Sequence, residues 1–316
     1  MDKGHREADK ILAELMDGML KAFDKADRKA TNKLRKYLRK YEQEIKEHEQ
    51  LVDDGKMSDA EFERWLIIRT TTGREWEELR DEIADDYHNA TSEAMAGAEA
   101  GLLSVYAFNK AFAHKGIAKQ IKRYFGKEMP KASTKKPRRP KAILPKSPDP
   151  KKNRMWHRRK VESVIRSGMK KGKSVDDIAR KLHKVTNMDR VSAYRAVRTG
   201  VTCAENEARI DAMYEAAKMG IEYDKVWYAT LDDRTRTSHR IMHGERVPRD
   251  GYFSNDLFEP ADPAGDPEEV YNCRCTLLWV PAGIQMDIED SPEGMGNLEW
   301  VATKPVSKPY PRWKDE

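Results

Sequence analysis

Apolar residues return every three or four positions along the first fifty residues: Leu12, Leu15, Met16, Met19 and Phe23, then Leu34, Leu38, Tyr41 and Ile45, with charged side chains between them. A period of 3.6 residues sets such positions on one stripe, so the spacing predicts one long amphipathic helix from about His5 to Leu51. Gly55 ends the pattern. Ser58-Asp-Ala-Glu61, just ahead of Phe62, Trp65 and Leu66, has the form of a capping box, in which the Ser and Glu side chains take the first unpaired backbone donors of a second helix. After Thr70-Thr-Thr-Gly73 a third helix is predicted from about Arg74, through Trp76, Leu79, Ile83 and Tyr87, to about Tyr124. Its middle, Ala94-Met-Ala-Gly-Ala-Glu-Ala-Gly101, is rich in small residues and would let another helix come close. Three antiparallel helices and long projecting arms fit this pattern equally. The stripe of Leu12, Met16, Met19 and Phe23 either packs on the third helix or offers an adaptable surface to a partner.

Between Lys127 and Asn153 the periodicity stops, and six of the fifteen prolines stand among Lys and Arg, as in Lys135-Lys-Pro-Arg-Arg-Pro-Lys141. Proline removes backbone donors and like charges repel, so an extended linker is expected. Helical patterning resumes at about Arg154 with Val161, Ile165 and Met169. Ser174-Val-Asp-Asp177 caps a short helix, and Met188-Asp-Arg190 opens a longer one from about Val191 to Met219, closed by Gly220. From there the grammar changes. Tyr223, Val226, Trp227, Ala229 and Thr230 suit a strand, and Cys273 to Val280 another, with turn-rich sequence between them. The reading is an α+β chain: a helical region at 1–126, a basic Pro-rich linker at 127–153, helices followed by a small α+β module with a few strands at 154–280, and an irregular tail at 281–316.

Composition sharpens this in three ways. Charged residues make up 36% of the 316 and the mean hydropathy is -0.88, which is polar for a compact protein. No run approaches the roughly 18 apolar residues of a membrane span, and the early charges at Asp2, Lys3, Arg6 and Glu7 do not fit a secretory signal, so folding in a cytoplasm is expected. Only Cys203, Cys273 and Cys275 are present, the last two separated by one residue, so reduced thiols are expected rather than a disulfide framework. The net charge of +6 is concentrated in the linker and its C-terminal flank, where Lys135, Lys136, Arg138, Arg139 and Lys141 are candidates for nonspecific contact with DNA phosphates.

The candidate chemistry lies in one stretch, Asp232-Asp-Arg-Thr-Arg-Thr-Ser-His239, followed by His243-Gly244 and then Asn272-Cys-Arg-Cys275. In a strand, Cys273 and Cys275 share a face and Arg274 takes the other. On a helical turn, His239 and His243 also share a face. Two His and two Cys form a chemically acceptable zinc set, although Cys-x-Cys is an unusual zinc spacing and buried free cysteines often simply pack. A metal-dependent nuclease built on Asp232, Asp233, His239 and Glu245 is the catalytic alternative.

Trp227-Tyr-Ala-Thr-Leu-Asp-Asp-Arg-Thr-Arg-Thr-Ser-His239, then Met242-His-Gly244, a Pro/Gly/Asp-rich loop and Asn272-Cys-Arg-Cys275 together resemble the phage Mu protein F-like domain of minor head proteins. The resemblance extends over about Arg154 to Val280 and includes the helix carrying Arg198, Thr199, Ala204, Asn206 and Ala208. Two positions depart from it: His243 stands where relatives commonly carry Asp, and Gly200 where an acidic residue often follows the Arg-Thr pair. The resemblance implies a minor capsid component of a tailed bacteriophage, in the virion and, during assembly, in the host cytoplasm. It would associate with the portal protein and with the major capsid or scaffold protein, contact packaged double-stranded DNA nonspecifically, and assist head assembly, packaging or genome delivery. It implies no catalysis, cofactor or membrane. Physically the motif then reads as a staple of the fold, formed by Trp227, Asp233, Arg234, Arg236, His239, Gly244, Asn272, Cys273, Arg274 and Cys275. Arg274 would reach a carboxylate across the sheet, and His239 and the cysteines would be buried beside Trp227 and Trp279.

Overall fold

The computed structural model describes residues 2–134, 149–171 and 173–284, apart from the side chains of 150, 175 and 185–189. The run Lys135, Lys136, Arg138, Arg139 and Lys141 and most of the predicted tail lie outside the described residues. The elements are α1 (Lys3–Arg39), α2 (Glu42–Asp53), α3 (Asp59–Thr70), α4 (Arg74–Phe125), α5 (Pro150–Lys170), α6 (Val175–Ala217), β1 (Tyr223–Tyr228), α7 (Thr237–Ile241), β2 (Arg246–Pro248), α8 (Pro267–Val270) and β3 (Thr276–Pro281). This is the expected α+β class, with long helices first and a small antiparallel sheet, ordered β2-β1-β3, near the C-terminal end.

Three element boundaries differ from the sequence expectation. The first helix breaks after Arg39, where the Lys40 and Tyr41 amides bond the carbonyls of Tyr37 and Leu38 in three-residue turns before α2 restarts. Neither Gly nor Pro marks that break. Conversely, α6 runs unbroken for 43 residues through Met188-Asp-Arg190, a stretch with no Gly or Pro to stop it. β3 begins at Thr276, not Cys273, and β2, only three residues long, is too short to show a period.

The described residues form two compact units. One comprises 16–97 and 149–194 and is wholly helical. Its interior holds Phe23, Leu34, Trp76, Ile83, Tyr87, Val161, Ile165, Ile178 and Leu182. Met19 is 2% exposed, so that part of the Met-bearing stripe packs inside rather than facing a partner. The capping box forms as predicted: the Ser58 amide donates to Glu61 Oε2 at 2.9 Å, and the Glu61 amide donates to Ser58 Oγ at 3.3 Å. Arg154 and Arg158, at the end of the basic run, are neutralised by Asp85 and Asp81 of α4 at 2.6 and 2.5 Å.

The other unit comprises 2–15, 98–134 and 195–284. Its core joins Ala113, Ile117 and Ile121 of α4 to Ala212, Met213 and Ala216 of α6, with Ile221, Tyr223 and Trp279. Gly101 explains the small-residue stretch, because a Cβ there would lie 2.6 Å from Leu15. Gly116 does the same for Trp279, whose ring would sit 2.7 Å from an added Cβ. Pairing of Lys225 with Trp279 and of Val226 with Leu278 sends alternate side chains to opposite faces. Trp279 thus enters the helical core, while Val226, Leu278 and Val280 cluster on the other face.

Candidate functional site

The site is built where α6 meets the chain entering β3. Thr199, Thr202, Asn206 and Arg209 recur at three- and four-residue steps, so they share one face of α6. Each pairs a backbone group of the incoming segment. Thr199 Oγ1 accepts the Asn272 amide at 3.2 Å, and Thr202 Oγ1 donates to the Cys273 carbonyl at 2.6 Å. Asn206 Oδ1 accepts the Leu277 amide at 2.8 Å, and Arg209 Nη1 donates to the Leu277 carbonyl at 2.8 Å. Buried backbone groups must find partners, and here helix side chains supply them at the entry to β3 and at its second residue. Asn272 turns the chain with a left-handed φ of 57°, a conformation Asn tolerates.

Burial alternates after Asn272, although this segment precedes β3. Cys273 and Cys275 are buried, and Arg274 points outward to Asp232. The Arg274–Asp232 pair is bidentate, with Nη2 2.6 Å from Oδ1 and Nη1 on Oδ2. Asp232 also accepts the Arg234 amide at 3.0 Å and the Thr235 hydroxyl at 3.1 Å. These contacts, the Arg274 hydrogen bonds foremost, hold its carboxyl well below the usual range. The carboxylate facing Arg274 is therefore Asp232, whereas Asp233 and Arg234 are exposed. Arg236 donates to the Tyr271 carbonyl.

His239, on α7, faces both sulfurs. Its Nδ1 lies 3.4 Å from Cys275 Sγ and 3.7 Å from Cys273 Sγ, and the Cys275 amide points at Cys273 Sγ from 3.5 Å. The ligand atoms of these three residues lie within 4.8 Å of one another. Nε2, on the far side of the ring, is 3.0 Å from Glu269 Oε2 but out of line for a hydrogen bond. Ser238 Oγ fixes Glu269 by reaching both its oxygens at 3.0 Å. Trp227 meets the imidazole edge to face at 5.1 Å. Burial raises the Cys273 thiol pKa, while hydrogen bonds from Cys273 and then His239 lower that of Cys275.

His243 is not part of this group. α7 ends at Ile241, so the four-residue helical relation to His239 is lost, and His243 Nδ1 instead accepts the Ala229 amide at 3.1 Å. Burial lowers its pKa. Gly244 follows with φ 85° and returns its amide to the Trp227 carbonyl at 2.8 Å. Trp279 does not flank the cysteines; it packs on Phe112 at 5.8 Å. The nuclease set does not assemble either. Asp232 is committed to Arg274, Asp233 is exposed, and Glu245 accepts the Ser254 amide at 2.8 Å and its hydroxyl at 2.7 Å. Among the described residues, only His239 of that set belongs to a His/Cys/carboxylate group close enough to share an ion.

One cluster was not anticipated. Arg209 is fully buried and binds Asp2 through two hydrogen bonds of 2.6 and 2.8 Å, and Glu205 through one of 2.7 Å. Glu205 in turn takes His5 Nδ1 at 2.9 Å and the Thr276 hydroxyl at 2.6 Å. Burial opposes every charge here, yet the partners prevail: the pKa values of Asp2 and Glu205 are lowered and those of His5 and Arg209 raised. The signal available in the sequence was Glu205 and Arg209 four residues apart among Ala204, Ala208 and Ile210.

An α+β module docked on a long helix and carrying a His/Cys cluster is the class these features define. Residues 159–278 match the family described as Phage Mu protein F like protein, which bears out the resemblance read from the motif. Two curated proteins are similar. The minor head protein GP7 of Bacillus phage SPP1 is 27% identical over 126 residues, covering 39% of this chain and 41% of that protein. A protein of Enterococcus faecalis named NAD(+)--arginine ADP-ribosyltransferase EFV is 30% identical over 166 residues, covering 49% of this chain and 34% of that protein. The chain thus spans well under half the length of either relative. No solved structure matches it.

Proposed function

We propose that this chain is a minor capsid component that joins the phage head through its portal and assists head assembly and DNA packaging. The observation carrying this reading is that the family match, 159–278, takes in both the α6 face from Thr199 to Arg209 and the Asn272–Leu277 segment that this face holds. A module braced this way suits a fixed component of a shell. The transferase named among the relatives shares about a third of its length with this chain, and its activity is left to that protein. Among the described residues no helix is long and apolar enough to cross a membrane. The basic run from Lys127 to Lys152, ahead of the paired Arg154 and Arg158, suits nonspecific contact with packaged DNA through phosphate neutralisation.

The test is co-expression with the portal and major shell proteins of the same genome, followed by gradient purification of heads. The chain is expected to sediment with portal-containing heads and to be lost from shells assembled without portal. Equal recovery in both, or in neither, would sink the portal assignment. Deleting 127–153 should leave incorporation intact and flatten the salt dependence of binding to random duplex DNA.

A further inference from the structure

We infer that His239, Cys273 and Cys275 form a zinc site of three protein ligands, with a water in the fourth position and Glu269 as the carboxylate that orients the histidine. The distances carry this. Zinc–sulfur bonds of about 2.3 Å and zinc–nitrogen bonds of about 2.0–2.1 Å, at tetrahedral angles, put sulfur and nitrogen about 3.6 Å apart. The two observed separations, 3.4 and 3.7 Å, bracket that value. Nδ1 faces the sulfurs, so it is the ligand atom, and Nε2 lies 3.0 Å from Glu269 Oε2, where a small turn of the carboxylate makes the outer hydrogen bond that metal-bound histidines commonly keep.

Charge points to a divalent ion. Two thiolates and a neutral imidazole carry two negative charges, which Zn²⁺ cancels, so the buried ligand set avoids the large cost of unpaired charge, while Glu269 stays partly open to solvent. The adjacent charges at Arg274 and Asp232 already neutralise each other. Among divalent ions, two sulfurs and one nitrogen favour zinc over the oxygen-seeking magnesium and calcium. The short Asn272–Cys275 link suffices because both sulfurs lie within reach of the same imidazole nitrogen. His243, committed to the Ala229 amide, is left out.

The test uses the full chain, purified without chelator. Elemental analysis is expected to return one zinc per chain, and cobalt substitution to produce thiolate-to-cobalt charge transfer with tetrahedral d–d bands. His243→Gln should retain the metal, and Cys273→Ser with Cys275→Ser should lose it. Because that pair of changes can also unfold the module, Glu269→Gln supplies the second measure. It leaves all three ligands and should weaken zinc binding about 10–100-fold in competition with a chromophoric chelator. A wild-type chain that takes up no zinc when zinc is added in excess overturns the site. Loss of zinc from His243→Gln overturns the ligand set, and unchanged affinity in Glu269→Gln overturns the role of Glu269.

Discussion

Two arginines of this protein each make a bidentate contact with a carboxylate, in opposite surroundings. In the helical unit Arg69 holds Glu44 at 2.7 and 2.8 Å, with 47% and 39% of the side chains exposed. In the sheet-bearing unit Arg209 holds Asp2 at 2.6 and 2.8 Å, with both side chains fully buried. The bond lengths are nearly equal although Arg69 uses Nε and Nη2 and Arg209 both Nη atoms, so burial and the further partners of Arg209 make the difference. Water competes with the exposed pair and little is gained by forming it. The buried pair also carries the polar groups of the β3 entry and of Glu205, so its loss would strand several charges at once.

The largest expected effect is therefore Arg209→Met. It leaves Asp2 and Glu205 buried without their cation, and breaking such a pair costs about 3–5 kcal/mol. Urea unfolding followed by tryptophan emission should show the midpoint fall accordingly. An unchanged midpoint would mean that the cluster is not sealed from water.

pH separates the two regions next. The His5 pKa is raised above the ordinary 6.5, burial being outweighed by Glu205, so its stabilisation is complete below 6.5 and is lost as pH rises through the raised value. The Glu205 pKa is lowered from 4.5, so its contribution is complete above 4.5 and is lost as pH falls. The sheet-bearing unit should accordingly be most stable between 4.5 and 6.5. His5→Asn should flatten the decline above 6.5, read as urea midpoints on either side of that value. A decline that survives the substitution would assign it to another group.

How legible these features were in sequence follows from how local they are. Ser58 and Glu61 lie within one turn, and their capping box was readable. Ser58→Ala is expected to cost about 1 kcal/mol of the helical unit's stability, measured by thermal unfolding. The His239, Cys273 and Cys275 grouping was readable from residue chemistry. His243 was misplaced because its link to His239 assumed a helix that stops at Ile241. Arg274 was expected to reach a carboxylate across the sheet; it meets Asp232, which lies in the turn after Tyr228, where strand alternation does not extend. The Asp2–Arg209 pair was hidden by 207 residues of separation, and only the oddity of charges on a small-residue helix hinted at it. The break at Lys40 had no Gly or Pro to announce it.

The smallest expected effect closes the comparison. Arg69 also stands over the Tyr41 ring at 4.8 Å, so replacing the arginine would remove two contacts. Glu44→Gln removes only the ion pair and leaves Arg69 on its ring. Both partners are open to solvent, and exposed charges are screened over about 10 Å at 0.1 M salt. No resolvable change in the unfolding midpoint is expected at that salt, and only a slight decrease when salt is lowered. A loss comparable to that of Arg209→Met would show that bidentate geometry, rather than burial, sets the strength of both pairs.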